Sequence, residues 1–247
     1  MEISIAAETV THILGIPITN SLLASLLTTV VLVTISYFAT KNLKEVPRGI
    51  QSFIEYAVES LYNMIQDVTD DKEKTYKFFP FVATIFLFII TSNWMGLLPG
   101  YGTLGIYEET AEGEQILVSF FRSANSDLNS TIALAVVGVL SIQLMGIAVL
   151  GFAKYSKKFL NFSSPIAFFI GLLEIISEIA KMISFSFRLF GNIFAGEVLL
   201  TVIMTLAPFV APLPFFGLEL FVGFIQALVF AMLLLVFMNI ATMEHEE

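Results

Sequence analysis

Three uninterrupted runs, at 18–40, 78–98 and 128–153, contain no charged residue and are each about 20 residues or longer. A helix needs about that length to cross a hydrocarbon core of roughly 30 Å. Backbone groups in lipid must bond within their own segment, and runs this long are not the short alternating strands of a barrel. Each run therefore predicts a transmembrane helix. Hydrophobic residues make up 57% of the chain, against about 45–50% in soluble domains, so a bilayer and not water is the expected solvent.

The net charge is −9. Its acidic residues lie mostly in short polar stretches such as 67–73 and 108–114, which read as solvated loop charges. No nucleic-acid partner is expected. Cysteine is absent, which removes disulfides, thiol nucleophiles and thiolate metal sites. Residues 1–10 carry Glu2 and Glu8 but no basic residue, so no cleaved signal is expected. Without short repeats or low-complexity tracts, residues 1–247 are expected to form a single membrane domain.

Lys and Arg beside membrane spans are retained in the cytoplasm. Lys41, Lys44, Arg48, Lys72, Lys74 and Lys77 follow the first run, and Lys154, Lys157 and Lys158 follow the third. Arg122 is the one basic residue of the loop at 99–127. This asymmetry places the N-terminus outside and the C-terminus in the cytoplasm. Between the first two runs, Ile50, Phe53, Ile54, Ala57, Val58, Leu61, Ile65 and Val68 recur at helical spacing. The stripe predicts an amphipathic helix over 48–68, either lying in the membrane interface or packed on a soluble partner.

The last part of the chain is different. A helix over 165–207 would be about 43 residues and roughly 64 Å long, twice the hydrocarbon thickness. It must tilt strongly, bend or project from the membrane. Pro208, Pro212 and Pro214 end it and open a second helix over 212–243, which makes a long tilted hairpin. The hairpin carries Glu174, Glu178, Lys181, Arg188, Glu197 and Glu219, and each ionisable group at mid-membrane costs about 2.5–3.5 kcal/mol even on lenient scales.

At 100° per residue, Glu174, Glu178, Lys181 and Arg188 share a stripe with Asn192, whereas Glu197 points to the opposite side of a straight helix. Glu174, Glu178 and Lys181 could pair with one another near the interface. Arg188 has no acidic neighbour three or four positions away, and its guanidinium does not deprotonate. It needs a cross-helix partner such as Glu219, or water, or a carboxylate on another protein. Glu197 and Glu219 are either protonated carboxyls that tie helices together or members of a proton relay.

The segment Ser186-Phe187-Arg188-Leu189-Phe190-Gly191-Asn192-Ile193-Phe194-Ala195-Gly196-Glu197 is similar to the R-L-F-G-N-x-x-A-G-E signature of subunit a of F-type ATP synthases. Glu174, Lys181 and Gln226 match further polar positions of that family. Residues 93–99 resemble its N-x-x-G-L-L-P element, and Asp127-Leu128-Asn129-Ser130-Thr131 resembles its D-L-N-T-T element. Here 123–126 depart from the P-T-A that usually precedes this element. Glu219 stands where some relatives carry histidine. Glu178 has no counterpart in the pattern and reads as a plain surface charge.

The resemblance implies a proton-translocating stator with two offset aqueous half-channels beside a rotating ring of c subunits. Arg188 would separate the channels, attracting the ring carboxylate when ionised and releasing it on protonation. Asn192, Glu197, Glu219, Gln226 and Asp127 would line the outer half-channel, and Glu174 with Ser177 the inner one. The b-subunit peripheral stalk and other synthase subunits would be its protein partners in a bacterial inner membrane. It would use no cofactor or metal and would catalyse no reaction alone.

Two rival readings lack parts. A secondary transporter would show repeated halves, and no second copy of the Arg-bearing segment exists. An intramembrane hydrolase working by a metal or a nucleophile would need H-E-x-x-H, G-x-S-x-G or a cysteine, none of which is present, and His12 and His245 lie near the termini, which leaves paired carboxylates as the one hydrolytic arrangement still open. The sequence thus predicts an all-α integral membrane protein with about five membrane-spanning or membrane-embedded helices and one interfacial helix.

Overall fold

The computed structural model describes residues 7–13, 15–41, 43–98, 100–101, 104–109, 115–159 and 163–243. Pro99, His245, Glu2 and residues 110–114 lie outside this set. A short antiparallel hairpin, β1 (Thr9–Ile13) and β2 (Ile16–Thr19), leads into α1 (Asn20–Lys41). Helices α2 (Ile50–Thr69) and α3 (Lys72–Gly96) follow. A second hairpin, β3 (Gly105–Glu109) with β4 (Gln115–Ser119), precedes a 3-10 turn at Ala124–Ser126. The chain ends with α4 (Leu128–Leu150), α5 (Phe152–Ser156), α6 (Pro165–Leu206) and α7 (Pro212–Ala241).

The chain is an all-α, multi-pass membrane protein. Helices α1, α3, α4 and α7 are each long and apolar enough to cross a bilayer. Helix α6, with 42 residues, extends for about 63 Å and cannot stand upright within one hydrocarbon thickness.

Helix ends follow local chemistry. Asp71 caps α3 by accepting from the N–H groups of Glu73 and Lys74 at 2.8 and 3.3 Å. The charge-free run at 78–98 therefore begins inside its helix, which starts at Lys72. Asp127 caps α4 through the N–H of Asn129 at 3.0 Å. The run at 128–153 does not stay one helix: Gly151, at φ 81°, stops α4 at Leu150 and turns the chain into α5. Ser164 caps α6 through Ala167, and Pro165 occupies its first turn, where no N–H is missed. Pro208 forces Ala207 out of the helical region and ends α6.

The core lies where α3, α4, α6 and α7 meet. Phe78, Val82 and Ile89 of α3, Val139 and Ile142 of α4, Leu189 of α6, and Phe230 and Leu234 of α7 are essentially fully buried. Helices α6 and α7 run antiparallel, with the Phe185 ring 5.0 Å from that of Phe230 and 5.9 Å from that of Phe237. Helix α2 buries only part of its stripe. Leu61 and Ile65 join the core, Thr69 bonds Thr75 at 2.6 Å, and Asn239 of α7 donates to the Val68 carbonyl at 3.1 Å. Phe53 and Tyr56 on its first turns are exposed.

Candidate functional site

Helix α6 divides its length between two surroundings. Phe185, Ser186, Leu189, Ile193, Gly196 and Leu200 face the protein interior, whereas Ser184, Phe187, Arg188, Gly191 and Ala195 form an exposed stripe. Arg188 sits in the middle of that stripe. Its guanidinium donates to Ser184 Oγ at 3.3 Å, and among the described residues no carboxylate pairs with it. Glu219, the cross-helix partner considered from sequence, lies elsewhere, against Gly196. Gly191, one turn below Arg188, has nothing within 4 Å of where a Cβ would stand, so the helix is approachable there.

On the side of α6 toward α7 the polar groups meet. Asn192 Nδ2 donates to Gln226 Oε1 at 2.6 Å. Gln226 is buried and its Nε2 has no acceptor among the described residues. Buried amides of this kind normally find a partner or an ordered water. Glu219, on the next turns of α7, is 7% exposed. A Cβ at Gly196 would overlap the Glu219 carboxylate, so Gly196 provides the space in which that acid sits.

A polar plug closes the end of the helix bundle at which α3 ends and α4 begins. The 3-10 turn and the following residue, Ala124 to Asp127, are buried although three of the four are polar. Asp127 accepts from Ser21 Oγ of α1 at 2.6 Å. Asn125 Nδ2 donates to Asn93 Oδ1 at 2.7 Å, and Asn93 Nδ2 donates to the Gly223 carbonyl of α7 at 3.0 Å. Trp94 Nε1 donates to the Leu220 carbonyl at 3.0 Å. Arg122 completes the plug: its Nε donates to Ser126 Oγ at 3.1 Å and to Glu197 Oε1 and Oε2 at 3.1 and 3.3 Å. Its guanidinium also lies 5.8 Å from the Phe194 ring centroid.

Sequence reasoning missed Arg122, Ser21, Asn93 and Asn125 as site residues. A usable signal existed for Arg122: it is the one cation of the loop at 99–127, and Glu197, on the far side of α6 from Arg188, has no basic residue three or four positions away.

Toward the N-terminal end of α6, Lys158 Nζ pairs with Glu174 Oε1 at 2.7 Å, and Ser177 is half-buried. Lys181 Nζ pairs with Glu178 Oε1 at 2.7 Å. Glu178 is not the plain surface charge expected from sequence: only 7% of it is exposed, because α6 turns it toward α7 and the α4–α5 corner. Among the described residues no group of three or more His, Asp or Glu side chains could hold a metal ion.

The family model described as ATP synthase A chain matches residues 22–239. ATP synthase subunit a of Campylobacter fetus subsp. fetus is 33% identical over 228 residues, covering 92% of each chain. That of Geobacter sulfurreducens is 37% identical over 213 residues, covering 85% of this chain and 82% of the relative. That of Campylobacter jejuni subsp. jejuni is 33% identical over 223 residues, covering 89% and 88%.

Proposed function

Because this chain belongs to the ATP synthase A chain family, we propose that it is the proton-translocating stator of a rotary F-type synthase, with Arg188 as the charge that faces a passing carboxylate. The observation that carries this reading is the exposed, acid-free setting of Arg188 on a membrane-embedded helix. A guanidinium there costs several kcal/mol unless water or an outside carboxylate meets it. A ring of c subunits, each bringing one membrane-embedded acid, supplies that carboxylate. At about 4 Å and an effective dielectric of about 20 the attraction is roughly 4 kcal/mol, enough to hold an ionised acid and weak enough to release it on protonation.

Protons reach and leave the ring by two half-channels. The outer one passes Asp127, Glu197, Glu219, Asn192 and Gln226. Arg122 holds Glu197 at its mouth, and Glu219 in its Gly196 recess is the buried carrier. The inner one leaves past Ser177 and Glu174. Arg188 stands between the two routes, and its fixed positive charge repels a proton seeking the direct way through. The chain breaks no covalent bond itself. The b-subunit peripheral stalk holds it against the ring in a bacterial inner membrane, with the Lys-rich loops and the C-terminus in the cytoplasm.

The test is Arg188→Ala in the assembled complex, measured as ATP synthesis in vesicles under an imposed proton gradient. Synthesis should vanish while the complex still purifies with its small, two-span, carboxylate-bearing ring proteolipid. Normal coupled synthesis in that variant would overturn the reading.

A further inference from the structure

The pair Glu178 and Lys181 has no part in the path just described, yet its surroundings are not those of a stray surface ion pair. Glu178 is 7% exposed. Its Oε1 accepts from Lys181 Nζ at 2.7 Å, and that ammonium also lies 4.7 Å from the Phe237 ring centroid of α7. Its Oε2 is buried and has no hydrogen-bond partner among the described residues. A carboxylate oxygen enclosed in this way is costly unless a water or a proton satisfies it.

Beside it, the buried Tyr155 donates its O–H to Gln143 Oε1 at 2.6 Å, and Gln143 Nε2 is a buried donor without an acceptor. Burial first, and then the negative charges of Glu178 and Glu174, push the Tyr155 phenol up to about 12. The phenol therefore stays protonated and lies within electrostatic reach of both acids. Glu178 Oε2 of α6 and Gln143 Nε2 of α4 are thus an acceptor and a donor left unmatched among the described residues, and buried groups of this kind are commonly met by internal water.

Spacing along α6 gives the arrangement a use. Arg188 and Glu174 are separated by about 21 Å of helix, and Glu178 lies one turn from Glu174. Proton transfer needs hydrogen-bond contact of about 3 Å, directly or through water. Glu174, paired with Lys158 and part-exposed, is at the mouth. Glu178 is the next acid inward.

We propose that Glu178 is a second proton-carrying carboxylate of the inner half-channel, working in series with Glu174. A proton delivered by water from the Arg188 level forms an O–H bond at Glu178 Oε2. It then leaves to water beside Glu174, which returns Glu178 to its ionised form. Lys181 keeps its own proton throughout and holds the carboxylate in place through Oε1. This inference rests on the stator reading above.

The experiment compares E178Q, E178D and the double variant E178Q/K181Q in vesicles carrying the whole synthase, with ATP-driven proton pumping and ATP synthesis as readouts. E178Q keeps the size of the side chain and an acceptor for Lys181 but cannot carry a proton, so translocation should slow several-fold with normal assembly. E178D should recover most of the rate. The double variant should stay slow, because removing the ammonium does not replace a lost carrier. Full rate in E178Q, or recovery in E178Q/K181Q, would reduce the pair to mutual charge neutralisation and overturn the proposal. If E178Q fails to assemble, the neutral E178Q/K181Q variant decides by the same two outcomes. R188A in the same vesicles separates the two claims: an active R188A overturns the stator reading, whereas an inactive R188A beside full-rate E178Q overturns this inference alone.

Discussion

Arg122 Nε donates to both carboxylate oxygens of Glu197, at 3.1 and 3.3 Å, tying the α3–α4 connector to α6 across 75 positions of sequence. The two side chains are 11% and 36% exposed, so this is a half-buried pair whose guanidinium is the more enclosed member.

Glu197→Gln and Arg122→Gln should each destabilise the protein. In a double-mutant cycle by thermal unfolding in detergent, the coupling should be about 1 kcal/mol, the solvent access of Glu197 keeping it low. Zero coupling would show that the pair does not fasten the connector.

Gly196→Ala should displace the Glu219 carboxylate, because a Cβ at 196 falls on its atoms. Proton translocation should drop sharply. Gly217→Ala, which meets nothing within 4 Å, is the control and should be neutral or stabilising by roughly 0.5–1 kcal/mol, as expected for Gly→Ala in a helix. Equal rates in the two variants would show that Glu219 needs no such recess.

Glu219→Gln should slow proton translocation while leaving ATP hydrolysis by the detached catalytic head unchanged. The amide fills the same recess but cannot take up and release a proton. Unaltered translocation would return Glu219 to tying α6 and α7 together.

Asn93→Ala should cost about 1–3 kcal/mol. It removes the acceptor of Asn125 Nδ2 and the donor to the Gly223 carbonyl, both in the buried plug. Thermal unfolding of the purified protein in detergent is the measurement, and an unchanged midpoint would mean that water replaces both bonds.

Much of the fold was legible because its causes are local. The start of α4 at Leu128 and of α6 at Pro165 follow from Asp127 and Ser164, caps placed immediately before them. Arg188 stood out because it is an ion at a depth where ions are expensive. The two β-hairpins were not legible: their strands are only four or five residues long and show too little alternation to separate from loop. The break at Gly151 was hidden inside an apolar run, since hydropathy does not register a positive φ.

The sequence by itself determined the solvent, the helices and the presence of too many charges in the last two of them, because hydropathy, capping and helical period act over a few neighbouring residues. Only the tertiary structure decided which charge meets which partner. Glu197 turns to Arg122, Glu219 to Gly196, Glu178 to the corner held by Tyr155, and Arg188 to the outside. These outcomes depend on how far each helix slides and rotates against its neighbours, and the register of one packed helix on another is set by all the side chains between them together.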